Sequence, residues 1–235
     1  MSSDRRIFLK TAGLSAAALA SSASLLHATE PTVLPLDTVA QELETWEQAR
    51  AETWDTSWTS KVTGKHKAMF DVPEIRDGVG ILRAGLWGRQ YTEVLKLAPG
   101  DVSTVIVIRH AAIPLAMNSA YWATYGVGKE LKLKDEKGKK WAMANPMLST
   151  ASTDMKSSMS ALLLDKQMGK GAIVLGCGMA FAQIVATVAK QDKLKPTEAR
   201  EKAKSFLIPG LIMQPSGIFA NVMAEEAGCA FVNAV

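Results

Sequence analysis

The sequence predicts an α/β fold: a small, doubly wound, mainly parallel sheet with helices on both faces, preceded by an N-terminal helical arm. Two observations carry this expectation. From Lys65 onward, short apolar runs such as "VSTVIVI" and "GAIVLGC" alternate with helix-length segments, which is the pattern of βαβ crossovers. The runs are apolar and β-branched, as in strands covered on both faces. Length and composition agree: 235 residues, 48% hydrophobic and 21% charged, suit one domain with appendages and a full core.

The elements follow in order. "HKAMFDV" (66–72) is the first strand and "IRDGVGILRAGLWGRQYTEVL" (75–95) a helix weakened by its glycines. "PGD" (99–101) makes a turn, "VSTVIVIRHAA" (102–112) the second strand, and "IPLAMNSAYWATYGV" (113–127) a helix. The lysine-rich "KELKLKDEKGKK" (129–140) reads as a solvated hairpin or loop, and 153–169 as a helix. "GAIVLGC" (171–177) is the third strand, with helices over 179–191 and 196–208, the latter opened by Pro196 and Thr197. "GLIMQPSG" (210–217) is the fourth strand, 218–228 the last helix and "CAFVNAV" (229–235) the closing strand.

Ahead of this domain, residues 1–28 have the layout of an export signal: a charged start, an Ala/Leu/Ser stretch and small residues. "DRRIFLK" (4–10) resembles the twin-arginine motif, with Arg5 and Arg6 followed by Phe8, Leu9 and Lys10. That resemblance implies the Tat export machinery as a partner, cleavage near Ala23 or Ala28, and a periplasmic or otherwise exported protein. The stretch is too weakly apolar for a stable membrane span, which needs roughly 20 apolar residues. Residues 29–64 form a linker with two prolines and then the arm, where Asp37 or Thr38 caps a helix carrying Val39, Leu43, Trp46 and Ala49. Trp54 and Trp58 suit packing of the arm on the domain or on another subunit, with ligand stacking as the alternative.

Charge and motifs exclude several functions. Of the formal net charge of +4, residues 1–28 hold three basic groups (Arg5, Arg6, Lys10) and one acidic group (Asp4), leaving +2 on the rest. Such balance speaks against nucleic acid, which is met by a basic stripe. There is no H-E-x-x-H, C-x-x-C, G-x-S-x-G or Walker loop, and the glycines of "GVGILRAG" (78–85) lie inside a helix. Two His and two Cys scattered over the domain make no recognisable zinc site, so neither a metal nor a cofactor is expected.

In parallel sheets, ligands bind at the carboxyl ends of the strands. Cys177, His110 and Ser216 end the third, second and fourth strands. Cys177 lies between Gly176 and Gly178, where backbone can approach a ligand closely, and at the start of a helix whose free N–H groups favour a sulfur anion. It is either a reactive thiol or a small packing residue at a bend. His110 can relay a proton or support the thiolate; Arg109 points to the opposite face. His66 belongs to the far end of the sheet. Cys177 and Cys229 fall at opposite ends of parallel strands, beyond the roughly 7 Å that a disulfide tolerates.

The run "AIVLGCGMAFAQ", then "LIPGLIMQPSGIF", then "EEAGCAFVNA" resembles the DsrE/DsrF-like family, and "HKAMFDV" and "VIVIRHAA" are similar to its first two strands. The resemblance spans roughly residues 65–235. It implies a small doubly wound fold, homo-oligomers and, as in the sulfur-relay members, a persulfide on Cys177 exchanged with a sulfur donor or acceptor protein. Ala111, Cys229 and the lysine-rich insertion depart from the family pattern. Three readings follow: an exported protein binding or relaying sulfur on Cys177, with His110, Gly176, Gly178 and Ser216 shaping the site; a non-catalytic binding or assembly module with Cys177 as packing; and a small-molecule binding protein.

Overall fold

The structure, a computed structural model, describes residue 47 and residues 52–135, 137–151 and 157–235. The export signal with Arg5 and Arg6, the linker and most of the arm helix lie outside the described residues.

Five strands form one all-parallel sheet in the order β4-β3-β2-β1-β5. Strand β1 (His66–Val72) leads through α1 (Val79–Val94) to β2 (Val102–Ile108). Short helices α2 (Ser119–Tyr125), α3 (Val127–Glu130), α4 (Ser157–Ser160) and α5 (Leu164–Met168) precede β3 (Ile173–Cys177). Then come α6 (Gly178–Asp192), α7 (Pro196–Lys204), β4 (Ile212–Gln214), α8 (Gly217–Glu226) and β5 (Ala230–Asn233). The doubly wound α/β architecture expected from the sequence is the one observed.

Alternation along the strands builds two cores, because successive side chains point to opposite faces. Phe70, Ile106, Ile108 and Val174 pack with Ile81 and Ala84 of α1 and Phe181 and Ile184 of α6. Met69, Val105, Val107, Ile173 and Leu175 pack on the other face with Ala220 and Ala224 of α8 and with Trp58. Ile106, Ile108 and Val107 are fully buried, each side chain contributing roughly 1.5–3 kcal/mol. Trp58, 0% exposed, belongs to a one-turn 3-10 helix (Ser57–Lys61), and Gly64 N–H donates to Ser103 Oγ at 2.8 Å. The end of the arm therefore packs on the domain, the first of the roles the sequence allowed for its tryptophans.

Several boundaries differ from expectation. The second strand stops at Ile108, because His110 takes φ +50° and opens a 3-10 segment, His110–Ala116. The continuous helix expected over 113–127 does not form. Buried Asn145 donates from Nδ2 to the carbonyls of Leu115 (2.9 Å) and Met117 (2.7 Å), and Met117 bridges to Leu207. These backbone groups find partners outside a helix, which satisfies them equally well. Within 157–169 the helix is broken in two, and Gln167 Nε2 donates to the Leu162 and Ile81 carbonyls. The fourth strand is only Ile212–Gln214, since Ser216 already caps α8. The lysine-rich segment turns back as a hairpin, with Lys134 bridged to Trp141 and its Nζ 3.5 Å from the indole centroid. Among the described residues no helix is long and apolar enough to cross a membrane.

Candidate functional site

Cys177 closes β3 and is the N-cap of the 15-residue helix α6. Its Sγ accepts the Ala180 N–H at 3.3 Å, filling the role that Ser or Asp oxygens usually take at such positions. The side chain is 6% exposed. Gln214 faces it across the β3–β4 ladder, in register and therefore on the same face of the sheet.

On the other side the register brings Arg109. Ile108 pairs with Gly176, so Arg109 follows on β2 as Cys177 follows on β3. The Arg109 guanidinium reaches back to β1, where Nε and Nη2 donate to Asp71 Oδ1 at 2.6 Å and Oδ2 at 2.7 Å. Asp71, 3% exposed, also accepts from Asn221 Nδ2 of α8 at 3.2 Å. The bonds to Asp71 raise the Arg109 pKa above its ordinary value, outweighing burial. The carboxyl edge thus carries a chain of interactions running Asn221, Asp71, Arg109 and on towards Cys177.

The other expected site residues take different places. His110 is exposed at the start of the 3-10 segment, and among the described residues no hydrogen bond or ring contact joins it to Cys177. Ser216 caps α8, its hydroxyl accepting the Phe219 N–H at 3.0 Å. The next residue, Gly217, lies against the aliphatic stem of Arg109, leaving no room there for a Cβ. The clearances beside the two flanking glycines are filled by the chain itself. A Cβ on Gly176 would meet Met213 Sδ at 2.7 Å; one on Gly178 would meet the Gln214 carbonyl at 2.8 Å and Trp54 Cη2 at 2.9 Å. His66 sits at the amino end of β1, its ring 5.3 Å from that of Tyr91, as the parallel order requires. Both cysteines are free, and burial raises the Cys229 pKa.

Arg109, Asp71, Asn221 and Gln214 are not among the expected site residues; Trp54, expected to pack the arm or to stack on a ligand, lies against Gly178. One signal was present: Asp71 stands inside the apolar run "HKAMFDV", and a carboxylate in a buried strand demands a charged partner. Which partner it takes depends on register. Two cavities, of about 490 and 440 Å³, lie elsewhere: one over the start of β2, lined by Gly88, Thr104, Gln167 and Lys170, the other beside Asn118, Leu148 and Ile208. Neither is lined by Cys177. Among the described residues no group of three His, Cys, Asp or Glu side chains could hold a metal ion.

Comparisons with protein-family models, curated proteins and solved structures find no match to this chain.

Proposed function

We propose that this chain binds or relays sulfane sulfur on Cys177, as its resemblance to the DsrE/DsrF-like family implies. The observation that carries the reading is the placement of Cys177 at the carboxyl edge of a parallel sheet, on the N-cap of a long helix, beside the Arg109–Asp71 pair. A helix N-terminus and a guanidinium both favour negative charge on sulfur. In the step, the Cys177 thiolate attacks the outer sulfur of a donor persulfide, R–S–SH. A new S–S bond forms at Sγ, the donor S–S bond breaks, and the donor leaves as R–S⁻, so Cys177 carries –S–SH with no net oxidation. Arg109, not His110, is the cation beside the sulfur; Ser216 acts by fixing the start of α8 behind it. The twin-arginine-like start extends the proposal to export through the Tat machinery, and the family resemblance to a homo-oligomer.

Incubation with a sulfane-sulfur donor is expected to add the mass of sulfur to the full chain, and Cys177→Ser to abolish the gain. A Cys177→Ser protein that still gained that mass would overturn the proposal.

The burial of Cys177 favours a second reading, a binding or assembly module in which this thiol is packing. A Cys177 that resists alkylation in the native protein under every condition that leaves the fold intact supports that module instead.

A further inference from the structure

The segment just ahead of the domain crosses the edge where Cys177 lies. Trp54 Cη2 sits over Gly178, the residue next to the thiol. Gln214, the register neighbour of Cys177, donates from Nε2 to the Asp55 carbonyl at 2.7 Å. At the near end, Trp58 is fully buried in the second core and forms a fixed anchor. At the far end, Glu52 Oε1 accepts from Arg200 Nε at 2.7 Å and pairs with Lys204 Nζ at 3.1 Å, both on α7. Arg200 in turn lies over the ring of Phe181 in α6, 5.9 Å from its centroid.

These contacts are unequal. Trp58 is held by a core, whereas, among the described residues, 52–55 meet the domain through the Asp55 carbonyl, the Trp54 indole and the partly exposed ionic bonds of Glu52. The Asp55 carboxylate turns back to accept from Ser57 N–H and Oγ. The closed arrangement leaves Trp54 Nε1 and Gln214 Oε1 buried with no hydrogen-bond partner. So is Trp58 Nε1 at the anchor, where the core burial of the ring offsets the cost. Buried polar atoms without partners cost free energy that opening to water returns. The closed state is thus stabilised by the Glu52 latch and the Trp54 contact and opposed by its own unsatisfied groups.

We propose that residues 52–55 are a strap, hinged on Trp58 and latched by Glu52 to Arg200 and Lys204, that gates access to Cys177. Closed, it shields the thiol from bulk reagents; open, it admits a sulfur donor to the sheet edge. The use of the gate rests on Cys177 being the working thiol, but its existence does not.

The test is alkylation of the native full chain with iodoacetamide, followed by peptide mapping so that Cys177 and Cys229 are read separately. Glu52→Gln is expected to speed alkylation of Cys177 about fivefold, the effect of losing a modest ion-pair latch, and Trp54→Ala to speed it at least as much. Raising salt to about 1 M is expected to speed the wild type and not Glu52→Gln, because screening weakens the same bonds. Lys202→Gln, which removes a pair from α7 to Asp192 of α6 without touching the strap, is expected to change nothing. An unchanged Cys177 rate in Glu52→Gln and Trp54→Ala overturns the gate. So does a parallel rise at Cys229, which reports general loosening. If the gate behaves as expected while no sulfur mass is gained, the gate stands and the persulfide reading falls.

Discussion

Arg109 and Asp71 form a two-point ion pair across the ends of β2 and β1, with the carboxylate buried and the guanidinium partly open to solvent. The planar fork matches the carboxylate, so both oxygens are satisfied and Asn221 adds a third bond. Removing one partner of such a pair leaves the other charge stranded. Arg109→Ala is therefore expected to cost about 3 kcal/mol in denaturant unfolding, whereas Asp71→Leu with Arg109→Met is expected to cost less than the sum of the single changes. Additive single costs would show that the pair does not act as a unit.

Gly217 is where the Arg109 side of that pair meets α8. An added Cβ collides with the Cβ, Cγ and Cδ atoms of Arg109. Gly217→Ala is expected to destabilise the fold by about 1–3 kcal/mol through overpacking. Combined with Arg109→Gly, which removes the Cβ, Cγ and Cδ together, its added cost should shrink below half. An undiminished cost would place the strain elsewhere.

Asn145 decides the path of the chain between β2 and β3. It is 0% exposed, donates to two carbonyls, and its Oδ1 accepts the Met147 N–H at 3.0 Å. Asn145→Leu removes all three bonds at once in a buried setting and is expected to cost about 3 kcal/mol. Equilibrium unfolding checks this; a change within about 0.5 kcal/mol, the range of ordinary surface substitutions, would mean that water takes over these bonds.

The strap should also respond to acid. The bond from Arg200 holds the Glu52 carboxyl below its ordinary value of 4.5, against the opposing effect of burial. A carboxylate with a lowered folded pKa stabilises the closed strap above the unfolded value, and that stabilisation is lost as pH falls through the folded value. Hydrogen exchange in residues 52–58, corrected for intrinsic rates, is expected to be flat from neutral pH down to about 4.5 and to rise below it. Glu52→Gln should show the raised exchange at every pH. A wild-type profile that stays flat into strong acid would remove Glu52 as the latch.

Much of this architecture is legible in the sequence, for identifiable reasons. "HKAMFDV" reads as a strand with the same bounds, 66–72, that it has in the fold, because Ala68, Phe70 and Val72 on one face and Met69 on the other are all apolar and can be buried. The helix expected over 179–191 is observed as Gly178–Asp192, since Cys177 ends one element and caps the next. The failures fall where side chains distant in sequence satisfy the backbone. Nothing local to 113–127 announces that Asn145 will take its carbonyls, and nothing local to 157–169 announces the reach of Gln167 to Leu162 and Ile81.

The candidate site divides along the same line. The sequence by itself determined that Cys177 ends a parallel strand at a helix start and lies far from Cys229, because both follow from alternation and element order. Only the tertiary structure decided its company. Parallel register places Arg109 and Gln214 beside Cys177 and leaves His110 exposed at a turn with positive φ. Asp71 then pulls the Arg109 side chain into the buried edge, and Trp54 covers the glycine next to the thiol. Neighbours across a sheet are set by register and by charges that must find partners once buried, and neither is written in the spacing of residues along the chain.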